Sequence, residues 1–276
     1  MNILIVKSIF CPNKKYYDIT ISSIIKLHQF LLINDLLDKI TLMFVGWVHI
    51  FEKEFITFVN IFPFNVNIIL KLWENNYGKT ILFNKLITFL NKNNFDDHII
   101  FYMDHDIFLD FDNDIKILFN LFDMIKSDIT IDQKKIGLVA TNHKNDSRHQ
   151  LDIYENNFNL NSVSLIWPNY FMSIGVGCFL ICAKIFKTLD QVEPFSVYGL
   201  CDVHILEQLN NKNYHNCIIE NFYAIHPYSD DNDYIKWKYE QILKSFNQIK
   251  NIENDEVNKK LLYDQSMIDS YNFWNK

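Results

Sequence analysis

The sequence predicts an α/β fold, a mostly parallel sheet flanked by helices. Three observations predict it. Short runs of branched apolar residues, at 2–7, 40–45 and 99–103, have the length and composition of buried strands. Segments with apolar residues at helical spacing lie between them. Strand and helix alternate, the pattern of parallel strands joined by helical crossovers.

The bulk composition narrows the function classes. With 276 residues, 49% hydrophobic and 16% aromatic, the chain can bury a large core. The net charge is -7, from 26 Lys and Arg against 33 Asp and Glu, and no basic block occurs, which argues against a nucleic-acid partner. The 5 cysteines, Cys11, Cys178, Cys182, Cys201 and Cys217, are odd in number and lack C-x-x-C spacing. That argues against a disulfide framework or a thiolate zinc site, and reduced thiols suit a cytoplasmic setting. The first apolar run is too short for a signal peptide, and no run of about 18 apolar residues predicts a transmembrane segment. The 6 glycines are scarce enough that each reads as a turn or a close backbone approach.

Taken in order, residues 2–7 form a first buried strand, and 8–15, polar and containing Pro12, a loop. Ile21, Ile24, Leu27, Phe30, Leu31 and Ile33 predict a helix over 19–34. A strand at 40–45, ended by Gly46 and Trp47, a short helix at 51–58 and a strand at 64–70 follow. The helix 78–91 turns Leu82, Leu86 and Leu90 inward and leads to the strand 99–103. A helix at 115–125 and a strand at 137–141 continue the alternation. Residues 142–161, polar and carrying His143, Arg148 and His149, read as a long loop. Then come a glycine turn and strand over 173–182, a helix starting near Asp202, and a strand over 217–224. Ile235, Tyr239, Ile242, Phe246 and Ile249 share one helical face, which predicts a C-terminal helical extension at 233–276.

The strand 99–103 carries the chemistry. It runs straight into Asp104, His105 and Asp106. Ligands of open α/β sheets gather just beyond the carboxyl ends of strands. Two carboxylates there make a hard oxygen site, suited to Mg²⁺ or Mn²⁺ carrying a phosphate-bearing substrate.

Several segments together resemble a GT-A fold glycosyltransferase, most like the large family 2 of nucleotide-sugar transferases. Tyr77-Gly-Lys-Thr-Ile-Leu-Phe-Asn84 is similar to that family's glycine–lysine turn and helix with an inward Asn. It is followed by a strand ending in a DxD motif, Asp104-His105-Asp106. Gly175-Val-Gly177 resembles the glycine turn facing the acceptor, and Gly199-Leu-Cys-Asp202 the Gly-x-Glu-Asp segment. His226 lies where many members have a histidine after the last strand. Two departures stand out. The second strand ends in Gly46-Trp47 rather than Asp, and Cys201 replaces the usual Glu.

The resemblance implies a Rossmann-like, mixed but mostly parallel sheet. A catalytic domain would span 1–232, with a nucleotide-sugar half at 1–110 and an acceptor half at 111–232. It also implies transfer of a hexosyl or N-acetylhexosaminyl group from a nucleotide-diphosphate donor, a UDP-sugar first, to a hydroxyl acceptor such as a glycan, with inversion. Asp106 reads as the main metal ligand. Asp104 serves the metal or the ribose, and His226 completes the Mn²⁺ or Mg²⁺ shell. Lys79 and Asn84 fall on the donor side, with Trp47 able to stack on a base. Gly175, Gly177 and Trp167 fall on the acceptor side. Asp202 is the candidate general base, and its position before an apolar run equally suits a helix N-cap. The rival readings are a catalytically silent glycan- or nucleotide-binding protein of the same fold and a sugar nucleotidyltransferase. The latter normally needs a glycine-rich basic loop near the N-terminus, which 8–15 lacks.

Overall fold

The computed structural model describes residues 2–75, 78–127, 129–144, 156–167, 174, 177–191 and 201–226. The expected C-terminal helices, the 232 boundary, Gly175, Arg148 and His149 lie outside the described residues. In chain order the elements are β1 (Asn2–Phe10), α1 (Lys14–Ile33), β2 (Ile40–Trp47), α2 (Glu52–Ile61), β3 (Asn67–Trp73) and α3 (Gly78–Lys92). Next come β4 (His98–Met103), β5 (Phe108–Leu109), α4 (Ile115–Lys126), β6 (Thr130–Ile131), β7 (Lys134–Lys144), β8 (Asn156–Leu160) and β9 (Val163–Trp167). The last are β10 (Cys178–Cys182), α5 (Ala183–Phe186), α6 (Cys201–Asn211) and β11 (Tyr214–Ile225).

One sheet runs in the order β3-β2-β1-β4-β10-β7-β11-β9-β8, with β5 beside β11 and β6 beside β7. Strands β3, β2, β1 and β4 are parallel to one another, as are β7 and β11. Strand β10 runs antiparallel to both β4 and β7, which makes the sheet mixed. Its beginning, not its end, therefore lies beside the carboxyl ends of β4 and β7. Both sheet faces are buried. Ile3 and Ile5 of β1 point into a core shared with Ile24 and Leu27 of α1, Phe55 of α2 and Phe122 of α4. Leu4 and Val6 point into the opposite core, with Leu82, Phe83 and Leu86 of α3, Phe186 of α5 and Leu209 of α6. Helices on both faces explain why β1, β2 and β4 read as continuous apolar runs rather than as alternating ones.

Three sequence expectations are corrected. The loop expected at 8–15 shrinks to Cys11, Pro12 and Asn13. Strand β1 stays in register with β2 as far as Phe10 opposite Trp47, and the Asn13 side chain caps α1 by accepting from Tyr16 N at 3.2 Å. Gly46 and Trp47 are the last two residues of β2 rather than a turn beyond it. At Gly46 φ is +145°, and an added Cβ would sit 2.1 Å from Ile9 O, so only glycine allows β1 and β2 to stay paired there. Of the long loop expected at 142–161, the described residues 142–144 and 156–160 are strand. β7 continues to Lys144, and β8 and β9 form a hairpin whose turn residues Asn161 and Ser162 both have positive φ. The polar end of β7 tolerates burial because it is hydrogen-bonded. Thr141 Oγ1 donates to Cys178 O at 3.3 Å, and Asn142 Nδ2 donates to Glu220 O at 2.8 Å, where β11 bulges.

Candidate active site

The carboxyl ends of β1, β4, β7 and β11 meet the start of β10 and the start of α3. Residues 104–107 form a turn closed by Ile107 N donating to Asp104 O at 3.2 Å. Strand β5 follows this turn directly and pairs antiparallel with the end of β11, Phe108 opposite Ile225. That short ladder carries the turn to His226. Asn113 reinforces it. Its side-chain amide donates to Tyr223 O at 2.8 Å and accepts from Tyr223 N at 2.7 Å, in the manner of one more strand residue.

Asp106 Oδ2 consequently lies 3.5 Å from His226 Nε2 and 3.9 Å from His105 Nε2. The His143 ring, from the end of β7, lies parallel to that of His226, with centroids 6.1 Å apart and planes 15° apart. His143 is therefore a buried strand residue at the site and not part of a solvated loop.

Asp104 is held on all sides. Tyr102 OH donates to Oδ1 at 2.6 Å, and Lys79 Nζ to Oδ2 at 3.1 Å. Its backbone N–H donates to Gly177 O at 2.7 Å. Burial, reinforced by the Asp104 charge, holds the Tyr102 phenol well above its ordinary value, so it remains a donor. Lys79 Nζ also lies 3.7 Å from Asp202 Oδ1, so one ammonium bridges the first DxD aspartate and the candidate base. Gly177 leaves little room for a side chain. A Cβ there would meet Ile107 Cδ1 at 2.9 Å and Asp104 Oδ2 at 3.2 Å.

Lys7 lies beneath the turn, fully buried at the end of β1's apolar run. Its ammonium donates to Asp104 O at 2.5 Å and to Ile107 O at 2.6 Å. Ser23 Oγ of α1 donates to His105 O at 2.5 Å. An aromatic wall continues from the turn. Phe10 lies 5.4 Å from the His105 ring and 5.8 Å from that of Trp47, and Tyr16 lies 6.1 Å from His105.

The structure thus brings together Asp104, Asp106, Lys79, Asp202, His226 and Gly177, with Trp47 at the edge of the aromatic wall. It does not bring in two other candidates. Asn84 lines a cleft between α3 and α6 with Thr80, Ile87, Leu189, Asp190 and Ile205. Trp167 is core, 5.0 Å from the His215 ring near the start of β11, whereas the site lies at that strand's end. Sequence reasoning missed Lys7, Ser23 and Tyr102, and it put His143 in a long loop rather than on a buried strand. Lys7 left only an ambiguous signal, a lone charge after four apolar residues. Tyr102 left another, since its place two residues before Asp104 in an extended chain puts both side chains on one side.

The spacing of Asp106 and His226 is compatible with two ligands of one divalent cation. Two ligands each about 2.1 Å from one ion stand roughly 3 Å apart, near the Asp106–His226 separation of 3.5 Å. Both Asp104 oxygens already accept from Tyr102 and Lys79. Among the described residues no three His, Cys, Asp or Glu side chains form a set that could hold an ion by themselves. Such an ion would draw its remaining oxygens from phosphate and water. Among the described residues, too, no helix is long and apolar enough to cross a membrane.

No protein-family model matches the chain, and no curated protein matches it by sequence. Solved structures do. A mannosyltransferase from Pyrobaculum calidifontis, PcManGT in complex with GDP-Man and Mn²⁺, superposes with a TM-score of 0.54 at 11% identity, over 95% of this chain and 68% of that one. GalNAc-T7 with UDP, GalNAc and Mn²⁺ superposes with a TM-score of 0.54 at 9% identity, over 83% of this chain. The match spans 44% of the GalNAc-T7 chain, less than half its length. These superpositions, on a mixed, mostly parallel sheet with helices on both faces, give the fold: the chain has the GT-A fold, a Rossmann-like α/β architecture.

Proposed function

We propose that the protein is a metal-dependent glycosyltransferase, moving a sugar from a nucleotide diphosphate to a hydroxyl acceptor such as a glycan, with inversion. A UDP-sugar is the first donor to try. The observation that carries the reading is the convergence of Asp104, Lys79 and Asp202 with the Asp106–His226 pair at the carboxyl ends of GT-A strands. The two superposed structures hold Mn²⁺ with a nucleotide or nucleotide sugar, which supports it.

Asp106 and His226 would hold Mn²⁺ or Mg²⁺. When bound, such an ion neutralises charge developing on the leaving diphosphate. Lys79, at the first turn of α3, supplies a second positive charge to the same oxygens once it swings from Asp104. Asp104, fixed by Tyr102, presents its carboxylate to the donor ribose or to a water. Asp202 is half-exposed and faces the same space, where it accepts the proton of the attacking hydroxyl. The Phe10–Trp47 wall offers an aromatic face to the base.

A thermal-shift screen of UDP-, GDP- and CMP-sugars with and without Mn²⁺ tests the reading. A gain in Tm that needs both a nucleotide and the ion, and that Asp106→Ala abolishes, supports it. No gain with any donor overturns it. One observation favours a second reading, a binding protein of the same fold. Strand β2 ends in Gly46 and Trp47, with no carboxylate to grip a nucleoside. Donor binding without transfer across a wide acceptor screen would select that reading.

A further inference from the structure

We propose that Lys7 and Ser23 are positioning residues that set the DxD turn in its metal-binding shape before any ligand arrives. The inference rests on the metal reading above. Of the carbonyls in the turn 104–107, those of Asp104 and Ile107 accept from the Lys7 ammonium and that of His105 accepts from Ser23. Both side chains are buried, at 0% and 2% exposure. Lys7 crosses from β1 and Ser23 from α1, so the turn is gripped from two separate elements. A lysine in the middle of an apolar core is costly unless its charge and donors are used. Here the donors close both ends of a turn, and Asp104 and Asp106 surround its charge with the opposite sign.

The consequence is geometric. Asp106 is the third residue of that turn, and its carboxylate faces His226 only while the turn keeps its shape. A turn free to flip its peptides would present Asp106 in several directions. It would then lose ion affinity to the ordering required on binding. Lys7 and Ser23 touch neither the ion nor the donor. They act through Asp106.

The test measures Mn²⁺ uptake by electron paramagnetic resonance, with Mn²⁺ alone, with UDP and with GDP, well below each protein's Tm. The proteins are the wild type, Lys7→Met, Ser23→Ala and, as a control, Ile5→Ala. Ile5 lies on the same strand, opposite Leu42 and Phe101, packs into the core and donates no hydrogen bond from its side chain to the turn. Lys7→Met should weaken Mn²⁺ binding at least tenfold and Ser23→Ala several-fold. Ile5→Ala should lower Tm and leave Mn²⁺ affinity unchanged. Should Lys7→Met fail to fold, Ser23→Ala decides alone. Wild-type Mn²⁺ affinity in the turn variants overturns the positioning role and leaves the metal reading intact. No Mn²⁺ uptake by the wild type in any arm overturns both.

Discussion

Asp106 and His226 meet at 3.5 Å, Oδ2 to Nε2, because β5 zips the DxD turn onto the last residues of β11. On the proposed reading, neither residue is complete as an ion site without the other. Asp106→Ala is expected to abolish any Mn²⁺-dependent rise in Tm seen with a nucleotide, and His226→Ala to reduce Mn²⁺ affinity by about tenfold or more. Isothermal titration with Mn²⁺ at fixed nucleotide checks both. Full affinity in His226→Ala would remove that histidine from the shell.

Asp202 and Asp106 should separate by assay. On the proposed roles, Asp202→Asn keeps the donor and ion ligands and loses only the proton acceptor. It should retain the thermal shift while transfer falls by about 10²- to 10⁴-fold. Initial rates at saturating donor, set beside binding on the same preparation, make the comparison. Loss of donor binding in Asp202→Asn would reassign the residue to the donor side, where Lys79 links it to Asp104.

Two glycines should respond in opposite ways. Gly46→Ala drives a Cβ to 2.1 Å from Ile9 O at φ +145°, and should cost roughly 3 kcal/mol in a urea titration. Gly177→Ala meets a movable Ile107 methyl at 2.9 Å and Asp104 Oδ2 at 3.2 Å. Stability should change by about 1 kcal/mol or less, while the nucleotide- and Mn²⁺-dependent shift in Tm is lost. If both substitutions acted only on stability, Gly177 would be structural.

Buried groups set the pH profile of stability. Burial lowers Lys7 from 10.5 to about 8. Between those values the unfolded chain binds a proton that the folded chain does not, so this contribution rises with pH. Burial raises the Cys11 thiol from 9.0 to about 11 and those of Cys178 and Cys217 to about 12. Above pH 9 the folded chain keeps protons that the unfolded chain releases, so this contribution falls with pH. Moving one group's pKa by a whole unit between the folded and unfolded chain is worth about 1.4 kcal/mol, and three thiols outweigh one lysine. His98 and His215, held below 6.5 chiefly by burial, cost stability as pH drops through that value. Urea midpoints at about pH 5.5, 8 and 10 should therefore peak at the middle value. A midpoint at pH 10 matching that at pH 8 would contradict the thiol argument.

The fold was legible wherever burial on both faces made a strand wholly apolar, as in β1, β2 and β4. It was least legible where polar side chains are buried and satisfied by partners distant in sequence. His143 read as loop because Thr141 and Asn142 end the apolar run, yet both are hydrogen-bonded to neighbouring strands. The hairpin of β8 and β9 was hidden by the asparagines of Asn156–Leu160, a composition that suggests a turn. Among site residues, the aspartates announced themselves through the strand they end. Lys7 did not, because a single lysine after apolar residues looks like a strand boundary, and its partner carbonyls lie about a hundred residues away.

That separation bears on how the protein is made. The DxD turn depends on a lysine at position 7 and pairs its aspartate with a histidine at position 226. A chain leaving the ribosome from its N-terminus can complete β1, α1 and β2 early, but the turn stays without His226 until β11 has emerged. Until then Asp104 and Asp106 are held chiefly by contacts within the nascent half. A truncated product ending before β11 would carry a recognisable DxD motif without the histidine that faces Asp106.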